Sequence, residues 1–147
     1  MQQLDDRASL RDLDGLRVEV LPLPAQVTAR GLSTDAVRDA AESQLRRAGV
    51  RLLAMGEFST GDPHLQITVL VSDARNGLVA FNVQVGFVQI TFMRRNPLVT
   101  LNRAVTWVAQ GGLSLGPVAH LLERVRQELS RQVAQFILDY QEANRRA

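Results

Sequence analysis

Between His64 and Ala109 the chain alternates apolar and polar residues in three successive stretches, and each break between them is a turn sequence. Leu65, Ile67, Val69 and Val71 share one face of the first stretch, with Gln66, Thr68 and Ser72 on the other. Asp73-Ala74-Arg75-Asn76-Gly77 ends it, and Asn-Gly supplies the positive φ angles that a tight hairpin needs. The second stretch begins at Leu78 and lines up Phe81, Val83, Val85 and Phe87. It then changes parity to Val88, Ile90 and Phe92, which predicts a β-bulge close to Gly86 to Val88. After Arg94-Arg95-Asn96-Pro97, the third stretch (Leu98 to Ala109) places Val99, Leu101, Val105 and Trp107 on one side, interrupted by Arg103. Strands joined by short turns pair antiparallel. Read instead as a membrane helix, Asn76 to Met93 would bury Asn82, Gln84 and Gln89 in lipid, so no transmembrane segment is expected.

Upstream, Leu16 to Leu23 alternates Val18 and Val20 with charged residues and stops at Pro22 and Pro24, which reads as a short first strand. A helix is signalled from Ser33: Ser33 can cap it, Leu32 and Val37 hold the staple positions, and Val37, Ala41, Leu45 and Ala48 form one apolar stripe. Gly49 fits the left-handed residue after a helix end, and Arg51 to Met55 then reads as a short second strand. A last helix opens at Pro117, the preferred position for proline, and repeats Val118, Leu121, Leu122, Val125, Leu129, Val133, Phe136, Ile137 and Tyr140 at helical spacing. Reaching Asn144, it would be about 40 Å long. The order β-α-β-β-β-β-α predicts an α+β fold, a mostly antiparallel sheet of about five strands with two helices packed on one face. Residues 15–147 form a single domain behind a flexible N-terminal segment, 1–14.

A chain of 147 residues can build one core by packing alone. It contains no cysteine, and all 17 basic residues are arginine. Thiol nucleophiles, thiolate metal sites and disulfides are therefore excluded, as are Schiff bases, a pyridoxal-phosphate anchor and a Walker A lysine. No cofactor is expected. The formal charge is only +2 despite a pI near 10.3, because arginine stays protonated to very high pH. With the acids well mixed in and aromatics at 5%, nucleic acid is disfavoured as a partner. The first residues carry no apolar signal-peptide run, so the chain reads as soluble, or as the mature form of an exported protein.

Gly112-Leu113-Ser114-Leu115-Gly116 has the spacing of a nucleophile elbow between a strand and a helix, the arrangement of serine hydrolases. Its partners are missing. The elbow fold orders Ser, acid, His, whereas the histidine after Ser114 is His120, ahead of every downstream acid. A glycine connection accounts for the same residues, and as an anion site before a helix they would lack the Lys and Ser/Thr of a P-loop. His64 and His120 have only Asp62 and Glu123 at ligand spacing, so no metal site is expected. The pairs Asp5-Asp6 and Asp12-Leu13-Asp14 lack the further ligands of a calcium loop.

If the helices cover the apolar side of the sheet, the other side presents Gln66, Thr68, Asn82, Gln84, Thr100, Asn102 and Thr106, hydrogen-bonding groups almost without charge. A solvated sheet usually carries charges there, which discourage edge pairing and stacking. This face is the candidate contact surface for a protein partner or for self-association. Gly31-Leu32-Ser33-Thr34-Asp35, Leu45-Arg46-Arg47-Ala48-Gly49-Val50, Pro63-x-Leu65, Arg95-Asn96, Thr106-Trp107, and Phe136-x-x-Asp139-Tyr140 with Asn144 together resemble the pattern of a group of small exported bacterial proteins. The resemblance spans residues 14–147, and its motifs are structural in character. More distantly, the element order is similar to that of the small α/β domain at the N terminus of TolB-type envelope assembly factors. The resemblance implies a periplasmic or extracellular location and a non-enzymatic role as a binding or assembly module. The alternatives are a small serine hydrolase using Ser114 and an Arg-mediated nucleic-acid binder.

Overall fold

The computed structural model describes residues 6–145. Its elements run in the order β1 (Arg17–Val20), α1 (Ala25–Thr28), α2 (Thr34–Arg47), β2 (His64–Val71), β3 (Leu78–Met93), β4 (Asn96–Val108), β5 (Ser114–Pro117) and α3 (Leu121–Ala143). Short 3-10 turns occupy Asp6–Leu10 and Val118–His120. The strands β1, β2, β3 and β4 lie side by side in that order, and β5 pairs with β3. Only the β1–β2 contact is parallel; the others are antiparallel, so the sheet is mixed but mostly antiparallel, within an α+β fold.

Local chemistry accounts for several boundaries. Ser33 Oγ accepts from the Ala36 N–H at 3.0 Å and opens α2. At its other end Gly49 takes φ 82°, Gly49 N–H donates to the Arg46 carbonyl and Val50 N–H reaches back to that of Leu45, closing a Schellman motif. Asn76 and Gly77 adopt φ 52° and 73°, the pair of positive angles expected of the β2–β3 hairpin.

Two elements differ from the sequence reading. Arg51 to Met55 is not a strand: Leu52 makes a single bridge to Leu16, and the chain then turns at Gly56, whose φ is 78°. The fifth strand is Ser114–Pro117, in the stretch read as a glycine connection. The reason is long-range, because β4 stops pairing with β3 at Gly86 and the β3 edge from Leu78 to Phe81 needs another partner. Pro117 therefore closes a strand, and α3 begins after one intervening 3-10 turn.

The core fills the space between one sheet face and the helices. Phe136 of α3 stacks on Phe87 with centroids 5.8 Å apart, meets the Trp107 ring edge-on at 5.3 Å and stacks on Tyr140. Trp107 Nε1 donates to Asp139 at 2.9 Å, so its buried N–H is paired. Between the departure of β4 and the arrival of β5, fully buried Gln132 pairs β3 backbone groups. Its Oε1 accepts from Val85 N–H at 2.8 Å, and its Nε2 donates to the Val83 carbonyl at 2.5 Å and to Glu128 at 2.9 Å. Gly111 backs this side chain so closely that a Cβ there would sit 2.7 Å from Nε2.

The described part of the segment 1–14 is packed, not frayed; residues 1–5 lie outside the described residues. Leu10 is fully buried. Asn144, at the end of α3, donates to the Leu10 carbonyl at 2.9 Å and accepts from Asp12 N–H at 3.0 Å, while Gln89 donates to the Ser9 carbonyl. The apolar gap between α3 and the far part of β3 and β4 is closed by Leu10, which is why this segment folds back.

Candidate binding face

The sheet face away from the helices carries four of the expected residues side by side. Thr68 stands directly opposite Gln84, Asn82 opposite Leu70, and Gln66 opposite Gly86. All four polar residues are half-buried. Gln84 Nε2 lies 3.4 Å from the Ala109 carbonyl and Gln66 Nε2 lies 3.5 Å from Glu19. Among the described residues, the side chains of Thr68 and Asn82 form no hydrogen bond. Thr68, Asn82 and Gln84 line a groove of about 660 Å³ with Leu70, Pro24 and Leu113, and Gln66 lies outside it.

The other two residues do not join them. Asn102 is exposed, beside a register shift further along β4. Thr106 turns to the helix side of the sheet: its Oγ1 accepts from Gln89 Nε2 at 2.9 Å, and its carbonyl accepts from Ser9 Oγ. The cause is the bulge. Phe87 pairs with Trp107 and Val88 with Val105, so the surplus residue is Thr106 in β4, while β3 runs in unbroken register against β2. The bulge falls where the parity change in β3 placed it, but on the partner strand.

Nor is the face free of charge. Val18 and Val20 point into the core, which turns Arg17 and Glu19 of β1 to the open side. Glu19 forms an ion pair with Arg103 of β4 at 2.7 Å. In a flat sheet β1 and β4 would lie about 14 Å apart, three strand spacings. Arg103 also sits several residues further along than the Gly86 row that Glu19 shares. The contact therefore requires the outer strands to curl toward each other over this face, and the register shifts that add residues to β4 supply the bend. Val88 lies on this concave side between His64 and Val105, is 3% exposed, and stands apart from the main core. Burial by itself would raise the Glu19 pKa, but the hydrogen bond and charge of Arg103, with smaller help from Gln66 and His64, hold it below the ordinary 4.5.

Ser114 sits in β5 opposite Phe81 and lines a cavity of about 250 Å³ with Phe81, Arg124, Gln127, Glu128 and Arg131. No histidine borders it. The hydrogen bond from Arg131 holds the Glu128 carboxyl below its ordinary pKa against the opposing effect of burial, so Glu128 is an engaged carboxylate. Arg124 lies 5.3 Å over the Phe81 ring and donates to the Leu115 carbonyl, filling the space beside Gly116. Among the described residues no group of three His, Asp or Glu is placed to hold a metal ion, and no helix is long and apolar enough to cross a membrane. Comparison with protein-family models and with curated proteins gives no match.

Proposed function

We propose that the protein is a non-enzymatic binding module of the bacterial envelope that holds a protein partner on the curled, open face of its sheet. The observation that carries this reading is the pair Thr68 and Asn82: half-buried polar side chains on a concave face with their hydrogen-bonding capacity unspent inside the chain. No buried side-chain polar atom lacks a partner among the described residues, so the unpaired groups of Thr68 and Asn82 reach the open groove, where a ligand can take them as readily as water does. Leu70 and Leu113, 63% and 77% exposed, border the same groove and supply the apolar contact that excludes water around a polar centre. A periplasmic or extracellular setting is part of the same proposal.

Capture from the native envelope fraction tests the reading. Thr68→Glu or Gln84→Glu puts a carboxylate on a groove floor whose lining holds no arginine, and is expected to abolish capture with the circular dichroism spectrum unchanged. Undiminished capture by both variants contradicts it. If the captured species is the protein itself, sedimentation velocity reports a dimer that the same substitutions dissociate.

A further inference from the structure

Past Val88, where its pairing with β2 ends, β3 continues with β4 as a two-stranded arm. Phe92 is 67% exposed and Leu98 93%, and Ile90, Val99 and Leu101 are exposed as well. These apolar side chains cover both faces of the ribbon, since Phe92 stands opposite Thr100 and the neighbouring pair is Leu101 opposite Thr91. The turn at the tip is Arg94-Arg95, both exposed and, among the described residues, without an ion-pair partner. No Asp or Glu occurs between Asp73 and Glu123, while Arg75, Arg94, Arg95 and Arg103 all do. Beside the base of the arm, the loop before β2 exposes Met55 and Phe58 and is tied to it by the Ile90 N–H donating to the Gly61 carbonyl at 2.7 Å.

We infer that this end of the molecule docks on an anionic phospholipid surface, with Phe92, Leu98 and Phe58 entering the interface and Arg94 and Arg95 at the lipid phosphates. The charge is complementary to such a surface, and the apolar side chains lie where a fluid medium reaches all of them. A folded partner would cover one side of the ribbon and leave the other bare. A second copy joined arm to arm would bring Arg94 and Arg95 together with their equivalents, and the arm itself carries no acid to separate them. Of the carboxylates on the body, Glu19 is paired with Arg103, Glu57 with Arg51, and Asp62 lies beside His64. This inference concerns a different surface from the groove and stands without it.

Flotation with vesicles tests it. The full chain is expected to float with equimolar phosphatidylcholine and phosphatidylglycerol and not with phosphatidylcholine alone. Arg94→Gln with Arg95→Gln lowers partitioning roughly thirtyfold, about fivefold per charge. Phe92→Ser with Leu98→Ser removes the binding that survives high salt, and both variants keep the circular dichroism of the parent because the replaced side chains are exposed. Absence of flotation with the anionic vesicles overturns the inference, as does flotation unchanged in either variant. A chain that sediments as a dimer without lipid, and as a monomer once Phe92 and Leu98 are replaced, assigns the arm to self-association and also overturns it.

Discussion

Where β4 has left β3 and β5 has not yet joined it, Gln132 carries the hydrogen bonds of the Val85 N–H and the Val83 carbonyl. Gln132→Met keeps the volume and leaves both groups buried without a partner, at a cost of about 2–5 kcal/mol in all. Chemical denaturation checks this, and a loss below about 1 kcal/mol would contradict the pairing. Glu19 makes a pH-dependent contribution of definite sign. Its folded pKa lies below the ordinary 4.5, so its stabilisation is fully present above that value and is lost as pH falls through the lower folded one. Because Arg103 is half exposed, the effect is about 1 kcal/mol or less. Unfolding free energies of the parent and of Glu19→Gln should therefore differ at neutral pH and converge under acid. At this scale, alternation sufficed to put Gln66, Thr68, Asn82 and Gln84 on one face. It failed for Thr106, because a parity change in one strand does not say which of two paired strands holds the surplus residue. It also left the Glu19–Arg103 pair unforeseen, since that pair depends on the curl of the whole sheet.

Elements whose ends are written in neighbouring residues were legible: α2 by Ser33 and Gly49, and the β2–β3 hairpin by Asn76-Gly77. Those that exist only because another element lacks a partner were not. The strand β5 fills the β3 edge from Leu78 to Phe81, and Arg51 to Met55, apolar enough to pass for a strand, finds only one bridge. The residues of the C-terminal pattern acquire structural roles here: Phe136 joins the rings of Phe87 and Trp107, Asp139 takes the indole N–H, and Asn144 fastens the N-terminal turn. Asn144→Ala removes its bonds to Leu10 and Asp12, so amide exchange in residues 7–12 is expected to quicken while the protection of β3 is unchanged. Equal protection of the segment in the variant would show that Leu10 packing alone retains it.

For the molecule as a whole, helices seal one side of the sheet and the Glu19–Arg103 contact draws in the edges of the other. Half-buried polar groups thus come to line a concavity that remains open. Incorporation of a photo-crosslinking amino acid at Thr68, at Gln84 and, as a control, at exposed Gln127 of α3 measures directly which surface is occupied in the cell. The account predicts a discrete adduct from the two groove positions and none from Gln127. Equal labelling at all three positions, or an adduct from Gln127 alone, would contradict it.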